Sequence, residues 1–346
     1  MSSIFGFRPY VIAEIGANHN GDLDLAREMI RVAKKIGCDC VKFQSFDERL
    51  FAREVYDCAK FLDDGRDVKN DLRTAVRAYS LSPEKIKVLC AYARNIGIHF
   101  SSSAFEPDQV DVLVDVKVDF IKVASMDIAN PRLLAAIGKA GRPVVLSTGM
   151  ASLEEVAAGI DVLEATGNRD IVLLHCVSLY PPPDEAINLN NIDMLRECFG
   201  YPVGFSDHSV GVAIPLAAVA KGGTVVEKHF TLDKSMEGWD HAISADPAEM
   251  QSLVEGVRRV HVALWQRRRE VSVAEIEKRQ VMRRSIVAAR RIPAGKVIES
   301  EDLTYRRPGT GLSPILGDFI VGLKAVRDIE EDALLCNEDL GRLVVS

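Results

Sequence analysis

From residue 10 to about residue 265, short β-rich apolar runs alternate with longer amphipathic stretches, an alternation that confines the chain to a parallel α/β architecture. The runs are Tyr10–Ile15, Cys40–Gln44, Ile98–Ser102, Phe120–Ala124, Val144–Ser147, Ile171–Cys176, Val203–Ser206 and Thr224–His229. Eight such units close a (β/α)8 barrel. The alternative, an open doubly wound sheet, would carry a Gly-x-Gly-x-x-Gly phosphate loop after its first strand, and none follows Ile15. Helix starts punctuate the intervals: Asn130-Pro131, the capping box Ser152-x-x-Glu155, and Asp246-Pro247-Ala248-Glu249. Each places a side-chain acceptor where a first helical turn leaves amides unpaired. The expected fold is an α/β TIM barrel over residues 1–265.

The chain's 346 residues exceed the roughly 250 that a barrel uses, which leaves a second, smaller module. After Trp265, the run Gln266-Arg267-Arg268-Arg269-Glu270 and a charged stretch opening at Ser272-x-x-Glu275 read as a linker over residues 266–283. From Arg284 the pattern turns to short β-prone pieces separated by turns, such as Ile292-Pro-Ala-Gly295 and Arg307-Pro-Gly-Thr-Gly311. A small, mostly β domain is expected over residues 284–346. One barrel connection is out of proportion: Asp47 to Ser82, mixed in charge, precedes a helix opening at Ser82-Pro83. In a barrel such a loop belongs over the active face as a lid or substrate wall, the alternative being a surface insertion without a role.

The net charge of −7 argues against a nucleic-acid or anionic-membrane surface while leaving room for a local basic pocket. Seven cysteines are scattered without zinc-ribbon or disulfide-framework spacing, as expected for reduced core thiols. The N-terminus has no basic start followed by an apolar core, and no run is long enough to span a membrane. A cytoplasmic protein is expected.

Polar residues fall at the C-terminal ends of nearly all eight runs, the face on which a barrel keeps its active site. They are Glu14 with Asn18-His19-Asn20-Gly21, Lys42 with Gln44, Ser102-Ser103, Lys122 with Ser125 and Asp127, Ser147-Thr148-Gly149, His175 with Ser178 and Tyr180, Ser206-Asp207-His208, and Glu227-Lys228-His229. Lysines inside apolar strands are costly unless paired, so Lys42 and Lys122 imply a buried anion. That anion is either a ligand whose phosphate and carboxylate the converging serines and lysines surround, or a structural partner among Glu14, Asp127 and Glu227. His208 and His229 end adjacent strands, within reach of a common ion, although two histidines are not a complete ligand set. His99, His175, His241 and His261 read as structural, and His19 is left open.

In chain order, Ala13-Glu-Ile-Gly-Ala-Asn-His-Asn-Gly21, Val41-Lys-Phe-Gln44, Ile121-Lys-Val-Ala-Ser125, Leu146-Ser-Thr-Gly-Met150, Leu174-His-Cys176 through Tyr180-Pro181, Phe205-Ser-Asp-His208 and Glu227-Lys-His-Phe230 resemble the sialic acid synthase family. Arg284-Ser-Ile-Val-Ala and Arg306-Arg-Pro-Gly-Thr-Gly311 resemble its C-terminal antifreeze-like (SAF) domain. The resemblance implies a metal-dependent transferase that condenses phosphoenolpyruvate with an unphosphorylated N-acyl amino sugar, N-acetylmannosamine or a legionaminic- or pseudaminic-type precursor. Its products would be a nine-carbon 2-keto sugar acid and phosphate. By the same matching, His208 and His229 hold a divalent metal, manganese first, with magnesium or cobalt as alternatives. Lys42, Ser103, Lys122, Ser125, Ser147, Ser178 and Ser206 fall on phosphoenolpyruvate-binding positions. Gln44, Asp127, Tyr180, Asp240 and Arg307 fall on sugar-contacting positions, and Glu14 on the carboxylate that handles protons or water. The family's domain-swapped homodimer would bring Arg307 to the sugar from the partner chain.

Several positions depart from the sialic acid form. Asp127 stands where that form has glutamate, Ser178 replaces an asparagine, Asn70-Asp-Leu-Arg-Thr-Ala-Val76 lacks the usual Gln-Tyr piece, and Gly238-Trp-Asp240 puts an indole beside a substrate position. These bear on the sugar, not on the reaction type. The rival enzymes join phosphoenolpyruvate to phosphorylated aldoses and lack the antifreeze-like tail. A non-catalytic carbohydrate-binding protein would not need this full set of polar strand ends.

Overall fold

A computed structural model of the chain describes residues 3–6, 8–53, 55, 72–264 and 268–341. All eight expected runs are strands: β1 Tyr10–Gly16, β2 Cys40–Ser45, β3 His99–Ala104, β4 Phe120–Val123, β5 Val144–Ser147, β6 Ile171–Cys176, β7 Val203–Asp207 and β8 Val225–His229. They pair in parallel, each with the next, and β8 closes on β1 to complete the barrel. The expected helix starts are present. Asn130 accepts from the Leu133 amide, and Ser152 with Glu155, and Asp246 with Glu249, form reciprocal capping boxes.

The two-residue period of a strand divides the barrel's side chains between two cores. Val11, Ala13, Val41, Phe43, Ile121, Val123 and Leu146 point outward into the large core shared with the helices. Tyr10, Ile12, Cys40, Phe120, Val145, Leu174 and Val225 fill the lumen. One step of two residues further along the same face lie Glu14, Lys42, Lys122, Ser147, Cys176 and Glu227, so the strands that pack an apolar plug lift a polar layer directly above it.

The stretch from Asp47 to Ser82 is not a bare loop. It contains a 3-10 turn at Glu48–Leu50 and a helix at Leu72–Tyr79, and Ser82 caps the next helix, Pro83–Ile96. Leu72 and Val76 form a small apolar cluster with Ala17 and Phe46, and Trp239 packs against it. The remainder of the insertion, residues 54 and 56–71 including Asn70, lies outside the described residues, as do linker residues 266 and 267.

Residues 266–346 form a separate compact unit. A helix, Val273–Met282, with no buried residue, leads into β9 (Ser285–Ala288), which pairs antiparallel with β10 (Leu303–Arg306). Ile286, Ile292, Ile298, Ile320, Ile329 and Leu335 make its core. Buried Asp302 accepts from Arg290 and Lys296 and from the Glu299 amide; buried Asp339 accepts in the same manner from Arg327 and the Cys336 amide. Two turns are thus pinned by one device. Among the described residues no helix is long and apolar enough to cross a membrane.

Candidate active site

Barrel register decides which polar side chains meet. Glu14 lies opposite Lys42 on one side and His229 on the other, Ser103 lies opposite Lys122, and Ser206 opposite Glu227. Lys42 Nζ is 2.7 Å from Glu14 Oε2, 3.8 Å from Glu227 Oε2 and 3.5 Å from Ser103 Oγ. Lys122 Nζ donates to Ser147 Oγ at 2.6 Å and to the Val123 carbonyl at 2.8 Å, and stands 3.9 Å from Glu227 Oε1. Ser206 donates to Glu227 at 2.9 Å, and Gln44 to Glu14 at 2.7 Å. Of the partners the sequence offered the lysines, the structure uses Glu14 and Glu227 for ion pairs.

That pairing leaves the cluster short of negative charge. Burial, helped by the Glu227 charge and opposed by Lys42, raises Glu14 to about 7. At Glu227 burial acts in the same direction, but Lys122 and Lys42 overcome it and hold this carboxylate at about 2. Burial also pulls Lys122 below the ordinary lysine value, partly offset by Glu227. The two lysines therefore face one carboxylate that they hold in its charged form and one that burial pushes toward protonation. An anionic ligand would balance the difference in a setting where an unbalanced charge is costly.

Beside Lys122 the loops after β4, β5 and β6 converge. Ser125 Oγ accepts from the Gly149 amide at 3.1 Å. A Cβ at Gly149 would come within 2.5 Å of Ser178 Oγ and 2.7 Å of Ser125 Oγ, so only glycine lets these hydroxyls close on the backbone next to Ser147. Hydroxyls, an amide and an ammonium in one place form a cradle suited to phosphate or carboxylate oxygens.

The histidines lie at the ends of β7 and β8. His208 Nδ1 donates to the Val177 carbonyl at 2.8 Å, which leaves Nε2 as its bare nitrogen. His229 Nδ1 is buried without a hydrogen-bond partner, 3.8 Å from Asp240 Oδ2, and burial lowers its pKa to about 4, keeping the ring neutral. The two ring centroids are 5.4 Å apart, and Tyr180 lies over His208 at 4.1 Å. Against the effect of burial, the Cys176 sulfur and the Val177 carbonyl raise His208, so this ring must release its proton before the two imidazoles share a divalent ion. Among the described residues no group of three or more histidines, cysteines and carboxylates could hold a metal.

Asp127, in the 3-10 turn Ser125–Asp127, is buried and raised to about 6 by burial, with Oδ2 unpartnered. Arg307 belongs to the small unit and is exposed on the turn after β10. Of the other histidines, His99 meets the Tyr10 hydroxyl and His175 the Ile187 carbonyl, both at 2.6 Å, while His19 Nδ1 accepts from the Gly21 amide at 2.9 Å and its Nε2 is buried without a hydrogen-bond partner. Sequence reasoning gave Glu227 no role beyond a partner for lysine. Its alternation with Val225 and His229 on β8 was the signal that it enters the lumen. Cys176, two residues after Leu174 on the same strand face, was given no role either, and its sulfur lies 4.0 Å from His208 Nδ1.

A model of the NeuB family matches residues 29–269, and one of the SAF domain matches residues 283–341. The chain is 36% identical over 335 residues to the N,N'-diacetyllegionaminic acid synthase of Legionella pneumophila, covering 96% of this chain and 94% of the relative. It is 35% identical over 332 residues to the N-acetylneuraminate-9-phosphate synthase of Homo sapiens, covering 95% and 92%. Among solved structures it is similar to the N-acetylneuraminic acid (sialic acid) synthetase of Leptospira borgpetersenii in complex with citrate. There the TM-score is 0.69 and the identity 32%, over 78% of this chain and 90% of that one.

Proposed function

Because the chain belongs to the NeuB family, we propose that it is a transferase condensing phosphoenolpyruvate with an N-acyl amino sugar to give a nine-carbon 2-keto sugar acid and phosphate. The observation that carries this reading is the buried, charge-deficient cluster of Lys42, Lys122, Glu14 and Glu227 beside the Ser125–Gly149–Ser178 cradle. In the proposed reaction, C3 of phosphoenolpyruvate attacks the sugar's aldehyde carbon. Water adds at C2, and the resulting hemiketal phosphate collapses by breaking its C2–O bond to phosphate.

Lys42 and Lys122, with Ser103, Ser125, Ser147, Ser178 and Ser206, hold the phosphate and carboxylate. Gln44, Asp127, Tyr180, Asp240 and Arg307 face the sugar. Glu14, with a pKa near neutrality, is able both to give and to accept a proton at the reacting centre. His208 and His229 would hold a divalent ion, manganese first, whose contribution is Lewis-acid polarisation of the aldehyde oxygen.

We further propose a homodimer in which the small unit caps the partner's barrel. Ile315 and Phe319, in the unit that carries Arg307, are 81% and 74% exposed, and the helix Val273–Met282 shows Val273, Ile276 and Val281 to solvent. Exposed large apolar side chains in a small unit call for a cover. The buried unpaired thiols Cys38, Cys40, Cys90 and Cys176 support a reducing, cytoplasmic setting.

We hold the sugar to be unphosphorylated, N-acetylmannosamine or a legionaminic- or pseudaminic-type precursor. A 6-phosphorylated sugar is the second reading. Three carbons added at C1 turn C6 into C9, and the human relative is named for a 9-phosphate. Phosphate release from phosphoenolpyruvate with manganese and paired sugars, with and without a 6-phosphate, separates the two. Release with the unphosphorylated sugars, lost on chelation and restored by manganese, is expected. Release only with the phosphorylated sugars would move the assignment, and full activity after exhaustive chelation would remove the ion.

A further inference from the structure

The motif Asn18-His19-Asn20-Gly21 has no part in the chemistry above. Its side chains reach to the connection after β8, the segment that carries Asp240. Buried Asn18 donates from Nδ2 to the Phe230 carbonyl at 2.9 Å and to Ser244 Oγ at 2.8 Å, and Ser244 Oγ donates in turn to the Asp240 carbonyl at 2.6 Å. Asn20 donates from Nδ2 to the Glu237 carbonyl at 2.8 Å, and its Oδ1 accepts from His241 Nε2 at 3.3 Å. His241 is itself buried, with its other ring nitrogen 2.7 Å from Thr231 Oγ1. Between these contacts lies Gly238, at φ +154°, where a Cβ would come within 2.6 Å of the His241 ring and 2.8 Å of Asn20 Oδ1. The loop therefore presses directly on the Asn20 carboxamide, which bridges Glu237 and His241, the residues on either side of Gly238, Trp239 and Asp240.

The residue immediately before Asp240 is clamped from the other direction. Trp239 stacks on Phe46 with centroids 5.8 Å apart and planes 25° apart, and takes Tyr79 edge-on at 5.0 Å. Phe46 follows β2, and Tyr79 ends the helix Leu72–Tyr79 of the long insertion. Asp240 thus sits at a point fixed by a hydrogen-bonded bracket from the β1 connection and an aromatic clamp from the β2 connection. Its carboxylate faces His229 Nδ1 at 3.8 Å. Buried hydrogen-bond chains and offset aromatic pairs hold a backbone tightly, and small displacements of a positioned group are expensive in catalysis.

We propose that Asn20 and Trp239 are positioning residues that set Asp240 against the sugar. The inference rests on the proposed role of Asp240 as a sugar contact. The test is a pair of double-mutant cycles on the full chain, with KM for sugar and for phosphoenolpyruvate measured separately. Asn20→Ala and Trp239→Ala should each raise the sugar KM roughly tenfold while the phosphoenolpyruvate KM stays within about twofold. Trp239→Phe, which keeps an aromatic face, should recover most of the loss. In an Asp240→Asn background each substitution should lose most of its effect. If either alanine variant does not fold, Asn20→Ser and Trp239→Leu, which keeps bulk without the aromatic face, carry the same cycles. Penalties that multiply in full with Asp240→Asn, or KM values that rise together, would overturn the bracket alone. An unchanged sugar KM in Asp240→Asn by itself would overturn the sugar-contact reading and the bracket with it.

Discussion

Replacing Asp127 with asparagine removes a charge while keeping the side chain's shape, and the structure gives the change a definite sign. Burial raises this carboxyl from 3.8 to about 6, with one oxygen unpartnered. Between those two values the folded protein keeps a proton that the unfolded chain has already released. Stability contributed at this position therefore falls as pH rises through the window and levels off above about 6. A shift of this size amounts to about 3 kcal/mol of penalty at about pH 7.5, about half that at about pH 5, and little at about pH 4. Asp127→Asn should be more stable than the wild type by a comparable amount at about pH 7.5, with a gain that shrinks as the solution is acidified. Urea unfolding at the three pH values reads this directly. The same variant should raise the sugar KM, because a charged acceptor facing sugar hydroxyls is lost. A variant no more stable than the wild type at about pH 7.5, or one whose gain is independent of pH, would refute the reasoning.

Lys122→Met should raise the KM for phosphoenolpyruvate far more than that for the sugar, by roughly tenfold or more, as steady-state kinetics would show. An effect confined to the sugar would misplace this lysine. The pH dependence of kcat/KM should contain an ionisation near 7 that disappears in Glu14→Gln, since burial raises the Glu14 carboxyl to about that value. An unchanged pH dependence in the variant would assign the proton transfer elsewhere. After chain exchange, mixed His208→Ala and Arg307→Ala dimers should regain activity, because one site of the hybrid then carries neither defect. A mixture that stays inactive despite proven exchange would place Arg307 at its own barrel.

The barrel was legible because each strand's apolar run keeps its two-residue period up to the polar ends, as in Ile12 to Glu14 and Phe120 to Lys122. The same period placed Lys42 and Lys122 in the lumen. It did not show that Glu227 would serve both, because the shared contact depends on how β8 closes against β1, a relation between the two ends of the barrel sequence. Asp240 fell on a sugar-contacting position by resemblance, while the devices holding it were invisible. Asn20, Phe46, Tyr79 and Trp239 come from three connections, and no local pattern predicts that their side chains meet. The insertion read as a loop because its helix Leu72–Tyr79 spans only eight residues, too few to show a clear helical period.

The central claim is that this chain forms a carbon–carbon bond between phosphoenolpyruvate and an amino sugar and expels phosphate by C–O cleavage. Phosphoenolpyruvate carrying heavy oxygen at the bridge between C2 and phosphorus, incubated with manganese and an N-acylated hexosamine and followed by mass spectrometry, tests both halves at once. A 2-keto acid heavier than the sugar by the three-carbon unit, together with phosphate that retains the label, is the predicted result. Pyruvate as the sole carbon product, or a condensation product accompanied by unlabelled phosphate, would contradict it.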